Sequence, residues 1–270
     1  MQFLQTLLII IVVVVVLGWI GLQIKPAPFA ALDLPAAPTR TMPIPTNLPP
    51  PVERFYRQAY GDRVPVIESV VISGRAAMRI AGITFPARYR FVHDAGAGYR
   101  HYIEATFFGL PLMKVNEHFL DGKSRMALPF GVTENEPKVN QGANLALWGE
   151  AIWFPTLWLT DPQVRWAPVD DSTALLYVPF GEDEAQFVVR FDPDTGLIHM
   201  LEAMRYKGVE SSARTLWLNE ARNWGTVDGH PTYTIGAVTW FDEGSPWAVF
   251  TAENMLTNVD VRAYLRAVGP

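Results

Sequence analysis

Glu150 is the residue whose surroundings most suggest chemistry, because it is the single ionisable side chain in residues 144–159, NLALWGEAIWFPTLWL. The same segment holds three tryptophans: Trp148, Trp153 and Trp158. A carboxylate among aromatic side chains can have a raised pKa and act as a general acid or base. It can equally form a buried ion pair with an arginine, or lie exposed at the edge of a helix. The arginines considered for such a pair are Arg165, Arg190 and Arg205. Glu150 is therefore a catalytic candidate, and the identity of its partner decides between these interpretations.

Histidine is the other residue type that could bind a metal or transfer a proton. The chain has five histidines: His93, His101, His118, His199 and His230. No two of them have the spacing of a helical zinc motif, such as His-x-x-x-His or His-Glu-x-x-His. His93, His101 and His118 would converge only if their strands were neighbours in a suitable register. We therefore expect no metal site and no cofactor.

Other candidate motifs are weak. Asp192-x-Asp-x-Gly196 is similar to the start of a calcium loop, but the twelfth position is Ala203 and not a glutamate, so a hairpin turn is predicted. The sequence has neither a Gly-x-Ser-x-Gly motif nor a glycine-rich phosphate loop. No motif assigns a reaction to the chain, and an enzyme is the less favoured class.

The segment around Glu150 is predicted to be a central helix at about residues 135–159. Thr133 and Glu136 have the spacing of a capping box, Pro137 suits a first helical turn, and Pro155 kinks or ends the helix. On helical spacing, apolar side chains surround nearly the whole helix, as expected of a helix inside a curved sheet. The predicted ligand-contacting residues are Trp148, Glu150, Trp153, Phe154, Trp158 and Trp166.

Segments of alternating polar and apolar residues flank this helix on both sides. They end at turns rich in Gly, Asp and Pro, among which Asp121-Gly122 is a strong hairpin signal. About ten such strands without a βαβ alternation predict an antiparallel meander, with one half before the helix and one half after it. The predicted fold class is α+β, mainly β. It consists of a large curved antiparallel sheet, or half-barrel, packed around one apolar helix in a single domain at residues 51–270.

An almost unbroken apolar run covers residues 3–24, and about 20 helical residues cross the hydrocarbon core of a bilayer. A cleaved signal peptide is the alternative, but no Lys or Arg precedes the run, which is longer than a usual signal sequence. We predict a transmembrane anchor at residues 1–24 and a single-pass membrane protein. Residues 25–50 are dense in proline, which predicts an extended linker that spaces the domain from the bilayer. Long domains are translocated largely regardless of charge, and we expect this one to be extracytoplasmic.

The composition excludes several functional classes. The 270 residues are 49% hydrophobic and 18% charged, with a net charge of -5 and no basic block, which does not fit a nucleic-acid partner. The absence of cysteine excludes disulfides, thiolate metal sites and cysteine nucleophiles. No protein partner is indicated.

The motif Trp-Gly-Glu-x-x-Trp-Phe-Pro-Thr contains Glu150 and Pro155, and it is followed by a Val-x-Trp strand at Val164 and Trp166 and a turn at Asp170. With these residues the chain resembles a family of membrane-anchored bacterial proteins of unknown function, over about residues 50–260. The resemblance implies a domain boundary and not a mechanism. More remotely, a curved antiparallel sheet that holds a helix is similar to the half-barrel of lipoprotein carriers, which implies a fold alone.

Three functions remain open. The first is a membrane-tethered domain that binds a lipid or another apolar ligand in a half-barrel cavity, because pockets for such ligands are apolar with few polar groups. The second is a hydrolase that uses Glu150 with an aspartate, such as Asp170, or with a histidine. The third is an envelope scaffold that binds other proteins through a sheet edge or face and takes no small ligand.

Overall fold

The structure is a computed structural model that describes residues 2–270. It begins with the apolar helix α1 (Gln2–Gln23), which is exposed along nearly its whole length. Within the described residues α1 is the one helix long and apolar enough to cross a membrane, with a mean hydropathy of 2.9. A small ribbon follows, in which β1 (Thr41–Pro43) pairs with β2 (Arg63–Pro65) on either side of the amphipathic helix α2 (Pro50–Tyr60).

One antiparallel sheet of 13 strands forms the body of the domain. Six strands precede the central helix: β3 (Ser69–Ile80), β4 (Ile83–Asp94), β5 (Gly98–Phe107), β6 (Leu110–Leu120), β7 (Lys123–Leu128) and β8 (Gly131–Glu134). Seven strands follow it: β9 (Arg165–Asp170), β10 (Thr173–Phe180), β11 (Asp183–Phe191), β12 (Ile198–Arg205), β13 (Thr215–Val227), β14 (His230–Trp240) and β15 (Ala248–Thr257). The predicted mainly-β class with a large antiparallel sheet and an N-terminal apolar helix is confirmed.

The sheet consists of two meanders that are joined through their first and last strands. The order of neighbours is β8-β7-β6-β5-β4-β3-β15-β14-β13-β12-β11-β10-β9, so β3 pairs with β15 in the middle while β8 and β9 form the two open edges. The predicted division into one half before the helix and one half after it is confirmed. Because the chain passes from one edge to the other through the central helix, this helix crosses the concave face of the sheet.

The central helix is shorter than predicted. Helix α3 (Pro137–Gly149) is followed by one 3-10 turn (Glu150–Trp153) and by the short helix α4 (Leu157–Thr160). Pro155 has no N–H and disfavours a helical conformation of the residue before it, so Phe154 adopts a φ of -139° and the helix cannot continue. Glu150 therefore lies at the end of α3 and not in its middle.

The start of α3 differs from the predicted capping box. Thr133 belongs to β8, and Glu136, which occupies the cap position, makes no side-chain capping bond. The prediction that Pro137 opens the helix is confirmed. A helix whose first turn packs against the sheet edge depends less on a local cap, because tertiary contacts supply most of its stability.

α3 is buried on every side from Gln141 to Gly149, as its apolar sequence predicts. Trp148 and Trp158 are each 1% exposed. The indole N–H of Trp158 donates a hydrogen bond to the backbone carbonyl of Trp148 at 3.1 Å, which ties α4 to the end of α3. These two tryptophans are thus part of the core that fills the half-barrel.

Part of the convex face is covered by the linker and by the chain after β15. The ring of Phe29 lies 5.7 Å from the ring of Tyr102 and 4.5 Å from the guanidinium carbon of Arg88. Ala36 forms a β-bridge with Val259. We expected the proline-rich segment to act as a spacer. These contacts instead hold it along the sheet, where its apolar side chain Phe29 packs on Tyr102 and Arg88.

The two ends of the strands differ in polarity. At one end, the turns after β3, β5, β7 and β14 expose large apolar side chains, while the turns after β10 and β12 carry the exposed charged residues Glu182, Lys207 and Glu210. We call this end of the sheet the apolar rim. Its exposed large apolar residues are Ile83, Phe108, Leu110, Leu128, Phe130 and Phe241. The turns at the opposite end, the polar rim, carry aspartates: Asp94, Asp121, Asp171, Asp192 and Asp228.

The apolar rim is also where α1 meets the domain. The backbone N–H of Phe108 donates a hydrogen bond to the carbonyl of Gly21 at 2.9 Å. A side chain at Gly21 would begin 2.6 Å from the ring of Phe107 and 2.7 Å from the ring of Phe108, so the close approach of helix and hairpin requires glycine. α1 and the β5–β6 turn therefore form one packed unit.

Candidate functional site

Two histidines of neighbouring strands meet Glu150 inside the half-barrel. His93 of β4 stands opposite Tyr99 of β5, and His101 of β5 stands opposite Phe91 of β4, so alternate residues place both imidazoles on the concave face. Oε2 of Glu150 is 2.7 Å from Nε2 of His101 and 3.2 Å from Nε2 of His93. The carboxylate at the end of α3 thus lies against strands β4 and β5.

A second carboxylate stands behind His101. Glu117 of β6 is the cross-strand partner of His101, and its Oε2 lies 3.9 Å from Nδ1 of the imidazole. The hydroxyl of Tyr99 donates a hydrogen bond to Oε1 of Glu117 at 2.5 Å. The ring of Tyr99 is also stacked on that of His101, with centroids 4.1 Å apart. His101 is therefore held between two carboxylates.

These contacts determine the charge of the pair. Burial lowers the pKa of His101, but the attraction of Glu150 and Glu117 outweighs it and raises the pKa to about 9. Burial raises the pKa of Glu150, but the two histidines outweigh it and lower the pKa to about 2. The raised pKa considered for this carboxylate is not found. At neutral pH the pair is an imidazolium and a carboxylate, so neither group is a ready base for hydrolysis.

Two of the three arginines considered as partners of Glu150 form ion pairs with other glutamates. Arg165 pairs with Glu184, and Arg190 pairs with Glu202. Glu150 instead takes a histidine, because its position at the end of α3 faces β4 and β5. Of the three histidines that could converge, His118 stands opposite Arg100, on the strand positions that face away from His101.

His93 is the least satisfied member of the cluster. It is fully buried, and neither of its ring nitrogens has a hydrogen-bond partner of good geometry within residues 2–270. Burial lowers its pKa, although the nearby Glu150 acts in the opposite direction. The neutral ring packs on Phe154, with centroids 5.2 Å apart.

The same residues are of the type that binds a divalent transition metal. One atom each of His93, His101 and Glu150 lies within 4.8 Å of the others, and two imidazoles with one carboxylate are ligands for zinc or iron. Electroneutrality does not require an ion, because the charges of Glu150 and Glu117 are matched by protonated His101 and by Arg205. Our expectation of no metal site stays a prediction.

A small cavity lies beside this cluster, between α3 and the sheet. This inner cavity has a volume of about 90 Å³, and its polar lining comes from His101, Glu117, Glu150, Arg205, Asn219 and Glu220, of which Glu220 is paired with Arg222. Its remaining walls are mostly apolar and aromatic side chains: Phe91, Ile152, Trp153, Trp217, Trp247 and Phe250. An apolar cavity with a few convergent polar groups is typical of a ligand site.

A second cavity, the outer cavity, adjoins the first. Its volume is about 230 Å³, and it shares Glu117 and Arg205 with the inner cavity. Its lining is largely apolar: Met126, Leu128, Val139, Ala143 and Val209. Leu128 and Val209 are both exposed, so the outer cavity reaches the apolar rim of the sheet.

The predicted ligand-contacting residues divide into two groups. Glu150 and Trp153 line the inner cavity. The other four pack in or against the core: Trp148, Phe154, Trp158 and Trp166. Sequence reasoning considered His101 as a histidine that could converge with others and Arg205 as a partner of Glu150, but it missed Glu117, a polar residue that faces inward from β6.

The sequence profile of a family of unknown function, DUF6544, matches residues 38–252. The chain belongs to this family. The DUF6544 region contains the whole cluster around Glu150 and both cavities, while α1 precedes it. The family resemblance inferred from the sequence is thereby confirmed, and a search of curated proteins finds no match.

Several solved structures are similar to this DUF6544 chain at low identity. A LolA superfamily protein from Nitrosomonas europaea is 10% identical, with a TM-score of 0.44, covering 81% of this chain and 96% of that one. A protein described as an outer membrane lipoprotein-sorting domain, from Vibrio parahaemolyticus, is 12% identical, with a TM-score of 0.41 over 78% and 90% of the chains. A DUF1329 family protein from Desulfovibrio piger is 14% identical, with a TM-score of 0.43 over 80% and 94%.

Proposed function

We propose that this chain is a membrane-anchored binding domain that takes an apolar, lipid-like ligand from the bilayer into the outer cavity. The observation that carries the proposal is the position of that cavity. It reaches the sheet surface at the apolar rim, where Leu128 and Val209 are exposed. A ligand that leaves the bilayer at this rim would meet an apolar lining without crossing water.

The contact between α1 and the domain supports an anchor that stays in place. Gly21 is packed against Phe107 and Phe108, and this packing would be lost if the helix were cleaved as a signal peptide. With α1 across the bilayer, the apolar rim lies at the membrane surface and the polar rim points away from it. We place the domain on the extracytoplasmic side.

The size of the outer cavity limits what it holds. Its volume of about 230 Å³ is below the range of roughly 300–1,000 Å³ for pockets that enclose a whole drug-sized ligand. Part of one hydrocarbon chain fits this volume, and the rest of the ligand would stay in the bilayer or require the loop after β12 to move. The domain would thus hold a lipid by one segment.

Photocrosslinking of the full chain in liposomes tests this function. The liposomes contain a phospholipid with a diazirine on its acyl chain, and the crosslinked peptides are identified by mass spectrometry. We expect crosslinks in residues 126–143 and 205–209, which line the outer cavity, in addition to crosslinks in α1.

A pair of tryptophan variants controls for simple proximity to the bilayer. Val139→Trp fills the outer cavity and should reduce crosslinking there while leaving α1 crosslinked. Val169→Trp adds the same side chain at an exposed position near the polar rim and should change nothing. Crosslinks confined to α1 and the rim, with no effect of Val139→Trp, would contradict lipid binding and favour the scaffold function.

A further inference from the structure

Arg205 differs from the other arginines considered for Glu150 in having no carboxylate partner. In the part of the chain that the structure describes, no acidic oxygen lies within ion-pairing distance of its guanidinium, whereas Arg165 and Arg190 each contact a glutamate at 2.5 Å. The guanidinium carbon of Arg205 lies 4.4 Å from the ring centroid of Trp217. It is thus held over an aromatic ring at the junction of the two cavities.

Hydrogen-bond donors without partners surround the inner cavity. Five of the residues that line it carry a buried N–H group that has no acceptor within residues 2–270: Trp153, Arg205, Trp217, Asn219 and Trp247. Three of these side chains are more than nine-tenths buried: Trp153, Trp217 and Asn219. Buried polar groups are normally satisfied, so a cluster of such donors around one cavity indicates a missing acceptor.

The acceptors already present do not fill this role. Oε1 of Glu117 accepts from Tyr99, and Oε2 of Glu150 accepts from His101. The imidazolium of His101 balances one of these two carboxylates. Arg205 balances the other only at a distance, because it contacts neither, so its guanidinium is the cationic group at the cavity that is free to form a direct ion pair. The complement of this site is a compact group that carries several oxygen acceptors and a negative charge.

We propose that the inner cavity binds the oxyanion head group, a carboxylate or a phosphate, of an amphiphile whose apolar chain lies in the outer cavity. This inference rests on the function proposed above and names the class of ligand. The inner cavity, at about 90 Å³, is well below the roughly 300–1,000 Å³ of pockets that enclose a whole drug-sized ligand, so it takes only a compact group. Arg205 and Glu117 stand where head group and chain join.

Competition between matched amphiphiles tests the head group. The full chain in detergent micelles is crosslinked with a diazirine-labelled fatty acid, and competitors with one oleyl chain are added: oleate, monooleoyl phosphatidic acid and uncharged oleyl alcohol. We expect one or both anions to compete at least about tenfold better than the alcohol, because a hydrogen bond to a charged group is worth about 1.5–3 kcal/mol. The better of the two anions identifies the head group.

Two variants assign the preference to Arg205. Arg205→Gln removes the charge, and Gly142→Ala places a methyl group 2.9 Å from Nε of Arg205, which must then move. Both variants should bring anion and alcohol to equal potency. Arg190→Gln, on an exposed side chain of the same sheet, should retain the preference. Gly142→Ala keeps the charge and suits a helix, so it remains informative if Arg205→Gln fails to fold.

The outcomes separate this proposal from the proposed function. Equal competition by anions and alcohol in the unmodified chain, or a preference that survives in both Arg205→Gln and Gly142→Ala, would overturn the head-group assignment while leaving lipid binding intact. Failure of every amphiphile to compete would overturn both.

Discussion

The pair formed by Glu150 and His101 makes the stability of the domain depend on pH. The pKa of His101 is raised from 6.5 to about 9 in the folded state, so its contribution is complete below pH 6.5 and is lost as the pH rises through about 9. The pKa of Glu150 is lowered from 4.5 to about 2, so its contribution is complete above pH 4.5 and is lost as the pH falls towards about 2. The two groups together therefore favour the folded state most strongly between pH 4.5 and pH 6.5.

Alkaline destabilisation is the measurable part of this behaviour. We expect the free energy of unfolding, measured by urea titration of the full chain in micelles, to fall between pH 6.5 and about 9. His101→Gln should be less stable at pH 6 and should lose most of that dependence. His199→Gln, at an exposed position, should retain the wild-type profile. An unchanged profile in His101→Gln would show that His101 does not carry the charge.

Removal of the carboxylate has a larger effect. Glu150→Gln leaves two histidines facing an uncharged amide, and breaking one side of a buried pair costs about 3–5 kcal/mol. The side chains of Glu150 and His101 are 17% and 7% exposed, respectively, so water screens the attraction between them only weakly. We expect a loss of about 3 kcal/mol in the free energy of unfolding.

An exposed pair supplies the control for that experiment. Glu184 and Arg165 form an ion pair at 2.5 Å with side chains 45% and 52% exposed. Glu184→Gln should cost much less than Glu150→Gln, because solvent screens exposed ion pairs. Equal losses for the two glutamine variants would mean that the environment of Glu150 is wetter than its burial indicates.

Among the elements, the β5–β6 hairpin is expected to enter the bilayer. Its tip packs on Gly21 of α1 and exposes Leu110 at 69%. Because the chain has no native cysteine, Leu110→Cys provides a unique position for an environment-sensitive fluorophore. In liposomes we expect a blue-shifted emission that nitroxide-labelled lipids quench, since apolar side chains favour the hydrocarbon.

The β6–β7 turn at the opposite end of the same strand is the matched position. Lys123→Cys, labelled in the same way, lies on the polar rim and should show neither the blue shift nor the quenching. Indistinguishable spectra at the two sites would contradict the membrane-facing orientation of the apolar rim.

The elements also show what the sequence determines by itself. Alternation and Asp-Gly turns were sufficient for the antiparallel sheet, because each hairpin is a local structure. The extent of α3 was overestimated: apolar residues continue past Glu150, but the backbone restriction at Pro155 ends the helix before the hydrophobic pattern ends. The predicted capping box at Thr133 failed because pairing with β7 placed that residue in a strand.

The site was less accessible to sequence reasoning than the fold. Glu150 was identified because it is a lone charge in an apolar segment, but its partner depends on the register of β4 and β5. Both faces of β5 carry polar residues. Glu104 faces the convex side and His101 the concave side, and both are buried. The pattern therefore did not reveal which face is the interior. Arg205 stands out only through the absence of a partner, which is a three-dimensional property.

At the scale of the whole molecule, cysteine labelling can measure on which side of the membrane the domain lies. Lys123→Cys lies in the domain, whereas Gln2→Cys lies at the far end of α1. In sealed, right-side-out vesicles, a membrane-impermeant maleimide should label Lys123→Cys at once. It should label Gln2→Cys only after the vesicles are opened. The reverse pattern would place the domain in the cytoplasm.

The pairing of β3 with β15 has a consequence for biosynthesis. Ribosomes make β3 before any other strand of the sheet, yet one of its two neighbours is the last strand to emerge. Until then the nascent chain presents β3 and β14 as unpaired edges, which are sites for pairing with another chain. Because such long-range pairing is slow, a ribosome that stalls before residue 248 would release a protein prone to exchange strands with its neighbours. The pairing of β15 with both β3 and β14 is therefore the step that removes these two edges from the sheet.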